Sequence, residues 1–329
     1  MTFDLLKQQL RGRTTLLLFT ILFIADLISR DSQYPDIKIL FAALSIAFWY
    51  INTTTINDLS DEEVDKINLK NATDRPLING AANRTTMVQL YALSAILSVL
   101  FALIISGLAG LIMLLFLALS YVYSMPPFRV SSRGIMAQLL LPLGYAGLPF
   151  ALAFIVNGYS ISIDSLILFI GLYMAFIARM LLKDFRDFEG DKQFGKRTFL
   201  VRHGGKVTSI TAMIFWAVAN FFVVYFIRSE AFLIMITEIF IVLILWGLFK
   251  LSLENNFDKQ MLLIGFVNRC SNVVTLLVLT AATIMETDLN VPVFYIYTVV
   301  LFTSVYVTVP YYEELKNRKL LPSWLKENY

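Results

Sequence analysis

Residues 37–65 read IKILFAALSIAFWYINTTTINDLSDEEVD, an apolar run that ends in a cluster of carboxylates. The run is close to the length of about 20 residues that a membrane-spanning helix needs. At the end of this run, Asp58, Asp61 and Asp65 follow the spacing D-x-x-D-x-x-x-D. On a helix, offsets of 0, 3 and 7 residues fall within roughly 60° of one face and cover about 10 Å of the axis. The stretch therefore predicts a spanning helix that carries a strip of carboxylates along one side of its end.

The same spacing occurs again in DFRDFEGD, residues 184–191, directly after the apolar stretch 163–182. Its carboxylates belong to Asp184, Asp187 and Asp191. Carboxylates crowded this closely repel one another unless cations lie between them, and Mg²⁺ is a hard cation that carboxylates and phosphates share. Two such strips, facing each other across a cavity, could hold a diphosphate through bridging metal ions.

The composition of the whole chain is that of a polytopic membrane protein. Of its 329 residues, 58% are hydrophobic, and its mean hydropathy is +0.71, whereas a soluble domain has about 45–50% apolar residues. The sequence predicts an all-α transmembrane bundle of nine or ten spans, forming one domain over residues 1–329. The candidate spans are residues 14–29, 37–57, 86–106, 108–124, 135–156, 163–182, 207–227, 231–249, 261–285 and a possible extra C-terminal one at 291–309.

The distribution of basic residues predicts the orientation of the bundle. If the N-terminus is cytoplasmic, the loops assigned to the outside carry only Arg30, Lys38 and Arg228, and nearly all other Lys and Arg residues lie inside. Cytoplasmic loops carry such an excess in membrane proteins. Both acidic strips and both termini are then expected on the cytoplasmic side, with a central cavity that opens to that side.

Other compositional features exclude some classes of protein. The single cysteine, Cys270, excludes an intrachain disulfide. The net charge of +3 gives no reason to expect a nucleic-acid partner and fits a rim next to anionic lipid. The longest polar stretches, residues 58–85 and 183–206, are too short to form a separate domain, and each contains one of the acidic strips.

The chemistry of the polar stretches indicates a lipid diphosphate as ligand. Guanidinium and ammonium groups bind phosphate oxygens, and apolar helix walls suit a long hydrocarbon. Metal coordination would stabilise the charge that builds on a departing diphosphate, so that the carbon–oxygen bond could ionise to an allylic cation. Aromatic faces stabilise cations, and the candidates for this role are Tyr121, Tyr123 and Phe128.

Four motifs, in a fixed order, resemble the UbiA superfamily of intramembrane prenyltransferases between about residues 40 and 206. They are NDLSDEEVDKIN at 57–68, RPLING at 75–80, YSMPPFR at 123–129 and DFRDFEGDKQFGKRT at 184–198. The resemblance implies an all-helical fold of about nine spans, whose active site opens toward the cytoplasm and laterally toward lipid. It also implies that Mg²⁺ and a diphosphate bind to Asp58, Asp61, Asp65, Asp184, Asp187 and Asp191.

The resemblance extends to the neighbours of the aspartates. Asn57 would support the first strip and belong to the diphosphate-binding set. The other expected members of that set are Arg75, Arg129, Lys183 and Lys192. Tyr123 would line the place where the cation forms.

The expected activity is Mg²⁺-dependent transfer of a prenyl group from a polyprenyl diphosphate to an aromatic or polar-lipid acceptor within the bilayer. A membrane terpene cyclase of the same superfamily is the alternative, because it begins by the same ionisation. A transporter of cations or phosphate lipids is a third hypothesis. Transporters place their coupling charges near the bilayer midplane, and both strips here lie at a membrane edge, which disfavours transport.

Arg179 and Arg269 lie within predicted spans, away from the motifs. Ionisable groups inside a span are costly and usually face a cavity or a partner. A role in the site and a pairing within the bundle are both open for these two residues.

Overall fold

The computed structural model describes residues 3–30, 34–68, 75–158 and 161–286, and within these ranges every regular element is a helix. The helices are α1 (Phe3–Leu10), α2 (Gly12–Ser29), α3 (Lys38–Asn68), α4 (Pro76–Asn79), α5 (Arg84–Ile105), α6 (Gly107–Ser124), α7 (Ile135–Pro142), α8 (Leu148–Val156), α9 (Ile163–Gln193), α10 (Phe199–Phe226), α11 (Ala231–Leu253) and α12 (Phe257–Glu286). A 3₁₀ turn covers Val130–Ser132, and a π-helical turn, Leu143–Gly147, joins α7 to α8.

The predicted all-α membrane fold is confirmed. Eight helices of the described ranges, with α7 and α8 counted as one span, are long and apolar enough to cross a membrane. A ninth is added if residues 3–29, which bend by 62° between α1 and α2, form one span. The possible tenth span, 291–309, lies outside the described residues. The side of the bundle that faces the cytoplasm remains a prediction.

Several helices begin at a residue whose side chain caps the first turn. Asn83, Ser106 and Ser162 each accept a hydrogen bond from the backbone N–H three residues later, at 2.9, 3.1 and 3.0 Å. Thr198 caps α10 in the same way. Such caps satisfy N–H groups that have no partner inside the helix. They explain why α5, α6, α9 and α10 begin where they do.

Two of the expected spans contain an irregular turn. The stretch 135–156 forms one span, as expected, but α7 ends at Pro142 and the π-helical turn follows, because proline cannot donate the backbone hydrogen bond that a helix interior requires. Helix α10 begins at Phe199 but is kinked at Gly204, whose backbone is non-helical (φ 77°, ψ 168°), so the predicted span at 207 begins just after the kink. The polar stretch 183–206 is therefore mostly helical, and only residues 194–198 connect α9 to α10.

The two helices that carry the acidic strips lie in the interior of the bundle. The most apolar window is 67% buried in α3 and 56% in α9, against 28% in α5 and 33% in α6. Polar side chains of α3 also bind its neighbours: Ser45 donates to Ser98 O at 2.7 Å, and Asn52 donates to Tyr91 O at 2.7 Å. Such interhelical hydrogen bonds hold membrane helices together. The carboxylates at the end of α3 are thus carried on a firmly packed helix.

Candidate active site

The ends of α3 and α9 are joined by the side chain of Asn68, the last residue of α3. Its Nδ2 donates to Asp187 O at 2.8 Å, and its Oδ1 accepts from Gly190 N at 2.7 Å. A Cβ atom at position 190 would lie 2.7 Å from both polar atoms of the Asn68 amide, so glycine permits this approach. The two acidic strips consequently lie side by side at the same end of the bundle, as the sequence predicts.

Lys196 bridges the two strips. Its Nζ lies 2.9 Å from Asp61 Oδ1 on α3 and 3.3 Å from Asp191 Oδ1 on α9. Burial disfavours the charged ammonium, yet the carboxylates of Asp61 and Asp191 outweigh burial and hold the pKa of Lys196 above its ordinary value. The ammonium is therefore charged at neutral pH and neutralises part of the charge of both strips.

A helix-ending turn brings Lys196 to this position. Gly195 has a left-handed backbone with φ 69°, and Lys196 N donates to Asp191 O at 2.8 Å while Gly195 N donates to Lys192 O at 3.2 Å. This pair of bonds, with glycine in the left-handed region, is the Schellman ending of a helix. The turn reverses the chain, so the side chain of Lys196 points back to the strip.

Side chains from two distant parts of the chain meet on Asp58. Its carboxylate accepts from Arg11 Nη2 at 2.7 Å and from Gln9 Nε2 at 2.9 Å, and it also pairs with Arg75 Nη1. Arg75 Nε lies 3.7 Å from Asp65 Oδ2 as well. The N-terminal helix α1 and the Arg75 motif thus meet on the first carboxylate of the strip.

Asp61 has a comparable set of partners. Arg129 Nη2 donates to Asp61 Oδ1 at 2.7 Å, and Asn57 Nδ2 donates to Asp61 Oδ2 at 3.1 Å. Among the described non-glycine residues, Arg11 and Arg129 are those with positive φ, at 44° and 38°. A non-glycine residue with this left-handed backbone conformation costs free energy, and such residues tend to occur at functional sites. Each of these two strained arginines reaches one carboxylate of the first strip.

In the second strip, neutral and basic groups contact the carboxylates. Gln138 Nε2 donates to Asp184 Oδ2 at 2.7 Å, and Arg186 Nε lies 2.8 Å from Asp187 Oδ1. Lys183 is half-buried and interacts electrostatically with Asp184 and Asp187. Lys192, an expected diphosphate ligand, is instead exposed, with its Nζ 5.8 Å from the centre of the Phe188 ring.

A small cavity of about 20 Å³, the size of one water molecule, lies below the strips, and Tyr123 is among its lining residues. Tyr123 is buried and interacts electrostatically with Asp184 and Asp61, one residue of each strip. Its expected role in lining the place where the cation forms stays a prediction. Trp49 also lines the cavity, against Gly144. The other two aromatic candidates, Tyr121 and Phe128, are exposed.

The donor atoms of the strips fit Mg²⁺ that is shared with a substrate. All six strip residues offer carboxylate oxygens, which Mg²⁺ prefers. In the part of the chain that the structure describes, no three His, Cys, Asp or Glu side chains form a compact metal cage by themselves. Mg²⁺ is usually bound through one or two carboxylates together with substrate phosphates and water. The strip carboxylates could thus hold Mg²⁺ together with the phosphates of a substrate.

The structure adds residues that the sequence analysis did not single out for the site. Gln9, Arg11, Gln138 and Lys196 all contact strip carboxylates. The glycine before Lys196 was a local signal, because a glycine at a helix end reverses the chain. No local signal links Arg11 or Gln138 to the strips, because each is brought there by helix packing.

The fold and the paired carboxylate strips define a polytopic helical membrane protein with one polar centre at an end of the bundle. Residues 17–269 match the UbiA prenyltransferase family. The chain belongs to the UbiA prenyltransferase family, which confirms the resemblance found in the motifs and extends it beyond residues 40–206.

The individual relatives share only about three in ten of the aligned residues with this chain. The chain is 29% identical over 194 residues to digeranylgeranylglyceryl phosphate synthase of Pyrococcus horikoshii, a match that covers 58% of this chain and 66% of that protein. It is 29% identical over 188 residues to the chloroplastic 2-acylphloroglucinol 4-prenyltransferase of Humulus lupulus, covering 55% of this chain and 44% of that one. The matched region is thus somewhat less than two thirds of the first relative.

The solved structures agree with the fold. A UbiA homologue from Archaeoglobus fulgidus, bound to DMAPP and Mg²⁺, superposes with a TM-score of 0.59. The superposition covers 94% of this chain and 99% of that chain at 17% identity. At this identity the likeness concerns the fold alone.

Proposed function

We propose that the protein transfers a prenyl group from a polyprenyl diphosphate to an aromatic or polar-lipid acceptor within the membrane, with Mg²⁺ as cofactor. The observation that carries the proposal is the junction of the two acidic strips through Asn68 and Lys196. Carboxylates and cations alternate there, beside a wall of apolar helices. A diphosphate with a long hydrocarbon needs this combination.

The basic side chains would hold the diphosphate head. Arg75, Arg129 and Lys196 already lie against the strips, and each is a donor that phosphate oxygens accept. Arg11 reaches the same carboxylate as Arg75 and extends the set. On substrate binding these groups are expected to contact phosphate oxygens without leaving the neighbourhood of the carboxylates, because they carry several N–H donors each.

The proposed Mg²⁺ ligands are the six strip carboxylates, Asp58, Asp61, Asp65, Asp184, Asp187 and Asp191. Bound there with the substrate, Mg²⁺ would neutralise negative charge on the leaving diphosphate. The homologue from Archaeoglobus fulgidus that was solved with DMAPP and Mg²⁺ supports this choice of ligand and ion.

The reaction divides into two bond changes. The carbon–oxygen bond of the prenyl diphosphate breaks, and its electron pair leaves with the diphosphate, which the arginines and Lys196 hold. Tyr123, buried next to both strips, offers its ring to the allylic cation. A nucleophilic atom of the acceptor then forms the new bond to carbon and loses its proton to a carboxylate or to water. The apolar helices exclude water from the cation until capture.

The relatives support transfer to an acceptor. One is named as a synthase of a glyceryl phosphate lipid and the other as a prenyltransferase of an acylphloroglucinol, an aromatic compound. The second name states the compound that receives the prenyl group, and the first names a product in which geranylgeranyl groups are joined to a glyceryl phosphate. Transfer is therefore preferred here to self-cyclisation, and the acceptor of this chain is either lipid or aromatic.

The test is an assay with purified protein, Mg²⁺, a panel of prenyl diphosphates and candidate acceptors, with products read by mass spectrometry. Asp61→Asn and Asp184→Asn should each lower turnover by about two orders of magnitude or more, since lost electrostatic stabilisation of a transition state costs about that much. Glu63→Gln is the matched control, because Glu63 lies on the same helix but pairs with Lys66 at 2.6 Å, off the strip.

Removal of the metal and of the acceptor completes the test. A chelator should abolish turnover, and excess Mg²⁺ should restore it. A hydrocarbon or terpene alcohol formed without acceptor would assign the cyclase activity instead. Movement of an intact substrate across a vesicle membrane, without its consumption, would indicate transport and contradict the proposal.

A further inference from the structure

Helices α11 and α12 form a hairpin whose connecting residues, 254–256, lie at the same end of the bundle as the acidic strips. Helix α9 ends there with the second strip, α10 crosses the bundle away from it, and α11 crosses back. A cavity of about 330 Å³ lies between the ends of α11 and α12, which is within the size range of ligand pockets. One face of each helix lines it: Trp246, Lys250 and Leu253 of α11, and Lys259, Leu262 and Leu263 of α12.

The inner end of this cavity is closed by packing between the two helices. The Trp246 ring meets the Phe266 ring edge to face, with 5.9 Å between ring centres. A Cβ atom at Gly247 would lie 2.7 Å from Val267 Cγ2, so glycine lets the helices approach closely at this depth. At the other end Leu253 is exposed. The cavity is therefore closed toward the bilayer midplane and open at the edge of the membrane.

The polar side chains of the cavity carry more positive than negative charge. Lys250 and Lys259 are both exposed, and Glu254 is the acidic residue among those that line the cavity. Glu254 Oε2 lies 4.0 Å from Lys259 Nζ, whereas no carboxylate of the described residues forms an ion pair with Lys250. Asp258 precedes Lys259 but is not a lining residue. The cavity thus offers one uncompensated ammonium group above an apolar floor.

We propose that this cavity binds an anionic phospholipid of the surrounding bilayer, with Lys250 and Lys259 on the phosphate of its head group. The acyl chains lie below, against Trp246 and the buried side chains of Leu262 and Leu263. Basic pockets between spanning helices bind anionic head groups, and tryptophan is enriched at the level of the head groups.

A lipid fits this cavity better than a free anion does, because four of its lining side chains are apolar. The lipid is not a substrate in this proposal, since no residue of the acidic strips lines the cavity. The site therefore does not rest on the proposed function. Its position at the predicted cytoplasmic edge is where anionic lipids attract basic side chains.

The test uses Trp246 as the reporter. The protein is reconstituted into phosphatidylcholine vesicles that contain a minor fraction of brominated lipid, either phosphatidylglycerol or phosphatidylcholine with the same chains. Bromine quenches tryptophan fluorescence on contact, and Trp246→Phe identifies the part of the signal that comes from the cavity. The wild type should prefer phosphatidylglycerol by about five-fold, which is the contribution expected of one lysine next to an anionic lipid.

Single substitutions assign the preference to the charges. Lys250→Gln should remove most of it, and Lys259→Gln less, because Glu254 already balances Lys259. Glu254→Gln should instead increase the preference several-fold. The glutamine carbonyl can still accept the bonds that Glu254 Oε1 receives from the backbone N–H groups of residues 255 and 256, at 3.0 and 2.9 Å. Lys206→Gln is the matched control, because Lys206 is exposed on α10 and does not line the cavity.

Each result either supports or overturns the proposal. Equal quenching by the two brominated lipids, or a preference that Lys250→Gln and Glu254→Gln leave unchanged, would overturn the anionic lipid site. Inorganic phosphate that displaces the lipid would show a site for a free anion instead. Quenching that falls as the ratio of protein to lipid rises would assign the cavity to a second copy of the chain. A lysine that only stabilises the end of α11 would alter the melting temperature and leave the lipid preference intact, which also contradicts the proposal.

Discussion

The contact between Gly190 and Asn68 offers the sharpest test of how the two acidic strips are held together. Gly190→Ala would place a Cβ atom 2.7 Å from Nδ2 and Oδ1 of Asn68 and 2.8 Å from its Cγ. These distances are shorter than van der Waals contact, so the Asn68 amide must move. It would then lose its bonds to Asp187 O and Gly190 N, which measure 2.8 and 2.7 Å.

Two opposing effects decide the stability of this variant. Alanine is favoured over glycine in a helix by about 1 kcal/mol. The two lost hydrogen bonds cost about 1 kcal/mol each, and relief of the steric overlap adds to that. The free energy of unfolding should therefore fall by about 1–2 kcal/mol. Turnover should fall further, by about 100-fold, because a shift of about 1 Å between reacting groups can cost that much.

A double-mutant cycle, measured by thermal unfolding in detergent, tests whether the effect of Gly190→Ala on stability changes sign when Asn68 is removed. In an Asn68→Ala background the clash no longer exists, so Gly190→Ala should stabilise the protein by the helix propensity of alanine. Gly107→Ala is the control, because a Cβ at position 107 of α6 meets nothing within 4 Å. If Gly190→Ala had the same effect in both backgrounds, Asn68 would not be the contact that joins α3 to α9.

Three further predictions concern the same centre. Lys196→Met should cost about 3 kcal/mol of unfolding free energy, since it removes the cation that pairs with the buried Asp191 carboxylate. Lys192→Met, at an exposed position, should cost less than about 0.5 kcal/mol. Because the pKa of Lys196 is raised, the difference between the two variants should stay constant until pH approaches the ordinary lysine value of about 10.4 and should disappear as pH rises through the raised pKa. Gly195→Ala should cost about 1–2 kcal/mol, because its φ of 69° disfavours a side chain, and should lower turnover by moving Lys196. Gly144→Ala should destabilise by about 1–3 kcal/mol, since its Cβ would lie 2.5 Å from the Trp49 ring, and Trp49→Phe in the same protein should restore part of the loss. These assignments would be contradicted by equal melting temperatures of Lys196→Met and Lys192→Met, of Gly195→Ala and the wild type, or of Gly144→Ala with and without Trp49→Phe.

Much of the site was readable from spacing along the chain. The offsets of Asp58, Asp61 and Asp65 predict one helix face, and in the structure these residues are buried while Glu63 on the other side is exposed. The partners of Asp61 illustrate the limit. Arg129 was expected from its motif, but Lys196 was not, because a left-handed turn at Gly195 rather than sequence proximity decides its direction.

The contribution of the N-terminal helix could not be read from the sequence. Gln9 and Arg11 stand 49 and 47 residues from Asp58 along the chain, yet both bind it. Thr54 Oγ1 donates to Gln9 O at 3.1 Å, and Leu5 packs into a cluster with Ile51 of α3. These contacts arise from packing of α1 on α3, which no local pattern reports.

The sequence by itself determined that the chain is a bundle of apolar helices, that two of these helices end in carboxylate strips, and which face of each helix those carboxylates share. Hydrophobic length and helical periodicity are local properties, so one chain segment suffices to reveal them. Only the tertiary structure decided which cations lie between the strips, and that Asn68 and Gly190 bring the strips together. Those pairings depend on contacts between residues far apart along the chain, and the energy of such contacts exists only when the helices have packed.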